Sequence, residues 1–133
     1  MGWGFLLGVL VFSISWVTPS SHPDRLLTAL EIVESGGDCC AIGDRGKAIG
    51  PLQIHYRYWQ DAVAWDVELQ GFPYTHCFNR DYARRVVAAY WARYAPSNAS
   101  YEVLARIHNG GPKGHLKAST LAYWSKVKKI LDK

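Results

Sequence analysis

Residues 31–54 read EIVESGGDCCAIGDRGKAIGPLQI. An apolar segment closes on Glu34, a glycine-studded stretch carrying Asp44 follows, and Gly50-Pro51 opens the next element. Residues 24–35 place Leu26, Leu27, Leu30 and Val33 on one broad stripe, the pattern of an amphipathic helix. Glu34 lies seven residues after Leu27 and four after Leu30, so that helix carries the carboxylate on its apolar face, at its C-terminal end. Burial and the negative end of the helix dipole both favour the protonated acid there. A general acid working near neutral pH requires that form. Asp44 sits among glycine and polar neighbours beside Arg45, where ionisation is easy. The intervening glycines supply the φ freedom for a tight β excursion that returns Asp44 opposite Glu34. Two carboxyls in contrasting environments form the acid/base pair used to cleave glycosidic bonds. Singly, each has a plain structural reading, Glu34 as a frayed helix end and Asp44 as a turn residue. Their pairing is what points to chemistry.

Outward from this segment, helical periodicity dominates. Pro51 suits the first turn of a helix, because its missing N–H would be unpaired there, and that helix is predicted to reach Tyr58 or continue through Trp65. Asn79 or Asp81 caps a long helix through Tyr94, with Val86, Val87, Tyr90, Trp91 and Tyr94 facing inward. A short helix from Tyr101 to His108 stops at Asn109-Gly110-Gly111-Pro112. Ser119 or Thr120 caps a last helix whose predicted buried stripe is Leu121, Trp124, Val127 and Leu131. The candidate sheet is a small hairpin between Gly36 and Ile49. The predicted class is α+β, mostly α: a helical domain with one small β-hairpin forming a cleft.

At 133 residues the chain holds one domain at most. Residues 1–20, MGWGFLLGVLVFSISWVTPS, carry no charged side chain and are expected to be a secretory signal peptide, although no Lys or Arg precedes the apolar run. Residues 21–133 then form the domain of a secreted, extracellular protein, with no stable membrane association once the leader is removed. The net charge of +4 belongs to that domain and favours anionic surfaces such as bacterial envelopes. It is too dispersed to indicate nucleic acid. With three cysteines the chain is no disulfide-rich scaffold; neighbouring cysteines bridge each other only with strain, so Cys77 is expected to pair with Cys39 or Cys40. No metal site is expected, since no ligand pair has zinc-binding spacing. Asn98-Ala99-Ser100 is a glycosylation sequon and is expected on an exposed loop.

The segment VESGG…AIGDRGKAIGPLQI…YW resembles the catalytic region of the lysozyme superfamily. Downstream, ARIHNGGPKG…STLAYWSKV at residues 105–127 closely resembles the end of invertebrate-type, destabilase-like lysozymes. The first segment is also similar to goose-type lysozymes and lytic transglycosylases. The resemblance implies a lysozyme-like fold with Glu34 as general acid and Asp44 as second carboxylate. It further implies substrate contacts from Gln53, Ile54, Tyr58, His108, Asn109 and Gly110, with Trp59 nearby but read as core packing. The cysteine-rich pattern of that family is mostly missing here, and no serine lies between Ser35 and Ser97 to support the serine-dependent isopeptidase activity of some members.

The implied activity is hydrolysis of the β-1,4 bond between N-acetylmuramic acid and N-acetylglucosamine in peptidoglycan. No cofactor is implied, the partner is peptidoglycan or a chitin-like oligosaccharide, and the expected state is a monomer. The alternatives are a lytic transglycosylase, which needs no second carboxylate, and a non-catalytic lysozyme-like sugar binder.

Overall fold

A computed structural model describes residues 24–133. The expected leader at 1–20 lies outside the described residues. Helix α1 spans Asp24–Ser35 and buries Leu26, Leu27, Ala29 and Leu30. It ends as the following glycines allow: Gly36 takes φ +66° and returns its N–H to Ile32 O, while Gly37 N–H reaches Glu31 O. The Ser35 hydroxyl donates to Pro51 O at 2.8 Å, tying the end of α1 to the segment that follows the hairpin.

Strands β1 (Ile42–Gly43), β2 (Ala48–Ile49) and β3 (Ile54–His55) form an antiparallel sheet in that order, with Gly43 opposite Ala48 and Ala48 opposite His55. The expected hairpin is present, and a third strand extends it. That strand replaces the helix predicted from Pro51: residues 51–53 turn, and helix α2 (Tyr56–Trp65) begins only after His55. Gly50 at φ +78° and Gln53 at φ +51° reverse the chain, and Ile54–His55 then pairs with β2. Pro51 and Leu52 are buried by this reversal. A Cβ on Gly50 would stand 2.0 Å from the Cys77 carbonyl oxygen, so the close approach of these two segments requires glycine.

Helix α3 (Arg80–Tyr94) is capped by the Asn79 side chain, which accepts from Tyr82 N–H, and buries Val86, Val87, Tyr90 and Trp91. Helix α4 (Tyr101–Gly110) is capped by Ser100, and α5 (Leu121–Leu131) closes the fold. Helix α1 packs on α5, α2 on α3, and α4 on α5. The core gathers Leu26, Leu30, Leu52, Ile54, Leu69, Val86, Trp91, Ile107 and Val127. The Trp91 indole N–H donates to Leu104 O at 2.9 Å within it.

Three expectations are corrected. Leu121 is half exposed rather than part of the buried stripe of α5. A short 3-10 turn at Ala118–Thr120 sets the phase so that Thr120 goes inward, its hydroxyl donating to Gly114 O at 2.7 Å instead of capping the helix. The three cysteines are free: Cys77 is fully buried in the 3-10 turn Tyr74–Phe78, whereas Cys39 and Cys40 lie in the exposed turn after α1. Burial pushes the Cys77 thiol up to about 12. Glu31 is a further finding, which the apolar stripe of α1 did not flag. It is buried, and its carboxylate accepts from Arg80 Nε at 3.0 Å and Arg84 Nε at 2.6 Å. Arg84 also donates to Thr28 Oγ1, so α1 and α3 are riveted by one ionic cluster.

Candidate active site

The end of α1, the small sheet, the start of α2 and the end of α4 enclose a cleft of about 320 Å³. Glu34 and Asp44 both line it, together with Gln53, Tyr58, His108 and Asn109. Ala48 and His55 complete the wall from β2 and β3. Among the residues expected to meet substrate, two stand elsewhere. Ile54 is 1% exposed and belongs to the core, because the alternation of β3 turns it inward and His55 outward. Gly110 is not part of the lining; a Cβ there would stand 2.5 Å from Thr120 Cγ2, so its role is to let α4 approach the turn before α5. Trp59 packs as core, its indole N–H donating to Tyr82 OH at 2.9 Å.

Glu34 is four-fifths buried. Its Oε1 accepts a 2.8 Å hydrogen bond from the Tyr123 hydroxyl and lies 3.4 Å from His108 Nε2. Burial first, and then the Glu34 charge, hold the Tyr123 phenol well above its ordinary value, so it remains a donor across the neutral range. His108 Nε2 also lies 3.2 Å from Leu52 O. A carbonyl only accepts, so Nε2 carries the hydrogen, and in the neutral ring Nδ1 accepts from the Tyr58 hydroxyl at 3.0 Å. Tyr58 in turn stacks on Tyr90 at 3.7 Å between ring centroids, and burial holds its phenol well above the ordinary value. The carboxylate at the end of α1 is therefore fixed by a relay anchored in α2, α3, α4 and α5.

Asp44 occupies a different setting. It opens a one-turn 3-10 segment, Asp44–Gly46, with φ +48°, and Arg45 follows at +58°. Its side chain is 60% exposed and contacts His55 Nε2 at 3.3 Å. Gln53, the third non-glycine residue in the left-handed region, donates its amide to Gly50 O at 2.9 Å and Ala41 O at 3.2 Å. Its Oε1 would stand 2.2 Å from a Cβ on Gly43, so the glycine of β1 makes room for this amide. Strained backbone of this kind persists where surrounding structure holds it, and it collects at functional sites. Here all three cases lie in the hairpin and the turn after it, and two of them line the cleft.

The sequon residue Asn98 is exposed in the turn between α3 and α4, as expected. Sequence reasoning missed His55 and Tyr123. The alternation of a third strand would have revealed His55; Tyr123 lies within the quoted YW segment but was assigned no contact.

Chains of known type are similar to this one. A family model described as Destabilase matches residues 25–130. A lysozyme of Ostrea edulis is 37% identical over 134 aligned residues, covering 92% of this chain and 90% of the relative. Invertebrate-type lysozyme 6 of Caenorhabditis elegans is 42% identical, covering 92% of this chain and 94% of the relative. Among solved structures, the complex of Aeromonas hydrophila PliI with Meretrix lusoria lysozyme matches with a TM-score of 0.70 at 33% identity, covering 80% of this chain and 88% of the matched one. The Tapes japonica lysozyme matches with a TM-score of 0.68 at 32% identity, covering 80% and 89%.

Proposed function

The chain belongs to the destabilase family of invertebrate-type lysozymes and is a glycoside hydrolase; on that premise we propose that it cuts the β-1,4 bond between N-acetylmuramic acid and N-acetylglucosamine in bacterial peptidoglycan. The observation that carries this reading is the placing of Glu34 and Asp44 on the wall of one cleft, the first mostly buried and the second mostly exposed. Glu34 protonates the leaving glycosidic oxygen. Its Oε1 is already engaged by Tyr123 and faces His108, which leaves Oε2 as the oxygen that delivers the proton. Asp44 attacks the anomeric carbon or stabilises its developing positive charge, after which Glu34, now a base, activates water. Gln53, Tyr58, His108 and Asn109 complete the polar wall against which the sugars lie. No cofactor enters the scheme.

We further place the enzyme outside the cell, on the strength of the charge-free leader and the sequon at the exposed Asn98. Among the described residues, no helix is long and apolar enough to cross a membrane.

The test is digestion of purified peptidoglycan with mass spectrometry of the fragments. Reducing-end muramic products support hydrolysis, whereas 1,6-anhydro products would reassign the enzyme as a lytic transglycosylase. Binding to walls without any cleavage would make it a sugar binder. Glu34→Gln is expected to abolish at least 99% of turnover, since general acid catalysis contributes about 10²–10⁴-fold. A fully active Glu34→Gln variant would end the assignment.

A further inference from the structure

We propose that His55 is a positioning residue that holds the Asp44 carboxylate in its working orientation. The inference rests on the reading that Asp44 is the second carboxylate of the reaction.

Asp44 needs such a partner. Its backbone is in the left-handed region, its turn ends on Gly46 two residues later, and its side chain is mostly in water. The turn itself supplies a bond only to its main chain, Lys47 N–H to Asp44 O at 3.1 Å. Among the described residues, the contact recorded for its carboxylate is His55 Nε2, 3.3 Å from Oδ2. A carboxylate on an exposed loop tip otherwise samples several rotamers, and ordering it for each turnover costs side-chain entropy.

His55 is built to give that order. Its backbone is paired with Ala48 in the sheet, and Ile54 beside it is locked in the core. The outward position of β3 is therefore fixed at the main chain, and the imidazole reaches back across the sheet to the turn between β1 and β2. Since a carboxylate only accepts, Nε2 bears the hydrogen in this contact. Both side chains line the cleft, so a bound glycan covers the pair and excludes water from it. A contact that is weak in open solvent strengthens under those conditions. The other titratable groups lining the cleft are Glu34, Tyr58 and His108, and Arg45 and Lys47 flank Asp44 along its turn.

The test is a double-mutant cycle on wall-fragment hydrolysis, with kcat and KM measured separately and the thermal midpoint of each variant as a control. His55→Ala is expected to lower kcat about tenfold, equivalent to about 1.4 kcal/mol, with KM within about twofold of the parent. His55→Gln, whose amide can still donate, is expected to recover most of that loss. Asp44→Asn is expected to be nearly inactive, and adding His55→Ala to it is expected to change nothing more. Full kcat in His55→Ala beside an inactive Asp44→Asn would overturn the positioning role and leave the two-carboxylate reading standing. A rise in KM alone would also overturn it, because His55 would then bind sugar directly. An active Asp44→Asn would overturn the role of Asp44 itself, and the proposal with it.

Discussion

Replacing Glu31 tests the ionic rivet between α1 and α3. Its side chain is 5% exposed and receives hydrogen bonds from Arg80 Nε at 3.0 Å, Arg84 Nε at 2.6 Å and Arg84 Nη2 at 3.1 Å. Glu31→Gln removes the negative charge and leaves the Arg84 guanidinium, 16% exposed, without its main counter-charge. Breaking one side of a buried pair typically costs about 3–5 kcal/mol. Arg80 is half exposed and can be rehydrated, so the lower end applies, about 3 kcal/mol. For a domain of this size, an unfolding entropy of about 0.2 kcal/mol/K turns that into a fall in Tm of about 15 °C. Urea unfolding followed by tryptophan fluorescence would give the free energy directly. Glu31 does not line the cleft, so the folded variant should hydrolyse walls normally at low temperature. Because paired apolar replacement can offset the loss of a buried ion pair, Glu31→Met with Arg84→Met should regain most of the stability. A loss below about 1 kcal/mol in Glu31→Gln, or a double variant as unstable as the summed singles, would refute this account of the cluster.

Thiol reactivity separates the cysteines: at pH 8 Cys39 and Cys40 should react with a disulfide reagent in the native protein, and Cys77 only after unfolding. A native protein with one reactive thiol instead of two would restore the expected bridge. The same burial makes stability fall in base. An unfolded thiol ionises near its ordinary value of 9, whereas native Cys77 keeps its proton to about 12, so the urea midpoint should be steady below pH 9 and drop as pH rises toward 12. Tyr123→Phe deletes the donor to Glu34 Oε1 and should cut kcat about tenfold with little change in KM, since a hydrogen bond to a charged group is worth about 1.5–3 kcal/mol. Unchanged kcat would show that packing alone orients the acid.

The helices were legible because their periodicity and caps are local: α1 begins and ends where its leucines and glycines say, and Asn79, one of the two caps expected for α3, is the one used. The two carboxylates were legible for the same reason, being carried by one continuous stretch of 24 residues. What escaped depends on distant partners. Glu31 lies off the quoted apolar stripe, and its charge balance comes from Arg80 and Arg84, 49 and 53 residues on. Pro51 reads as a helix start, and only pairing of Ile54–His55 with β2 reveals the strand that brings His55 to the cleft. The cysteine pairing failed because spacing cannot report that Cys77 points into a core while its expected partners face water.

The phenol that steadies Glu34 comes from α5, 89 positions further along the polypeptide. During synthesis the acid emerges early but stays without that donor until α5 has been made and docks. Products that stop before α5 thus carry the acid without the phenol that orients it. The orientation of the acid therefore reports whether α5 has docked.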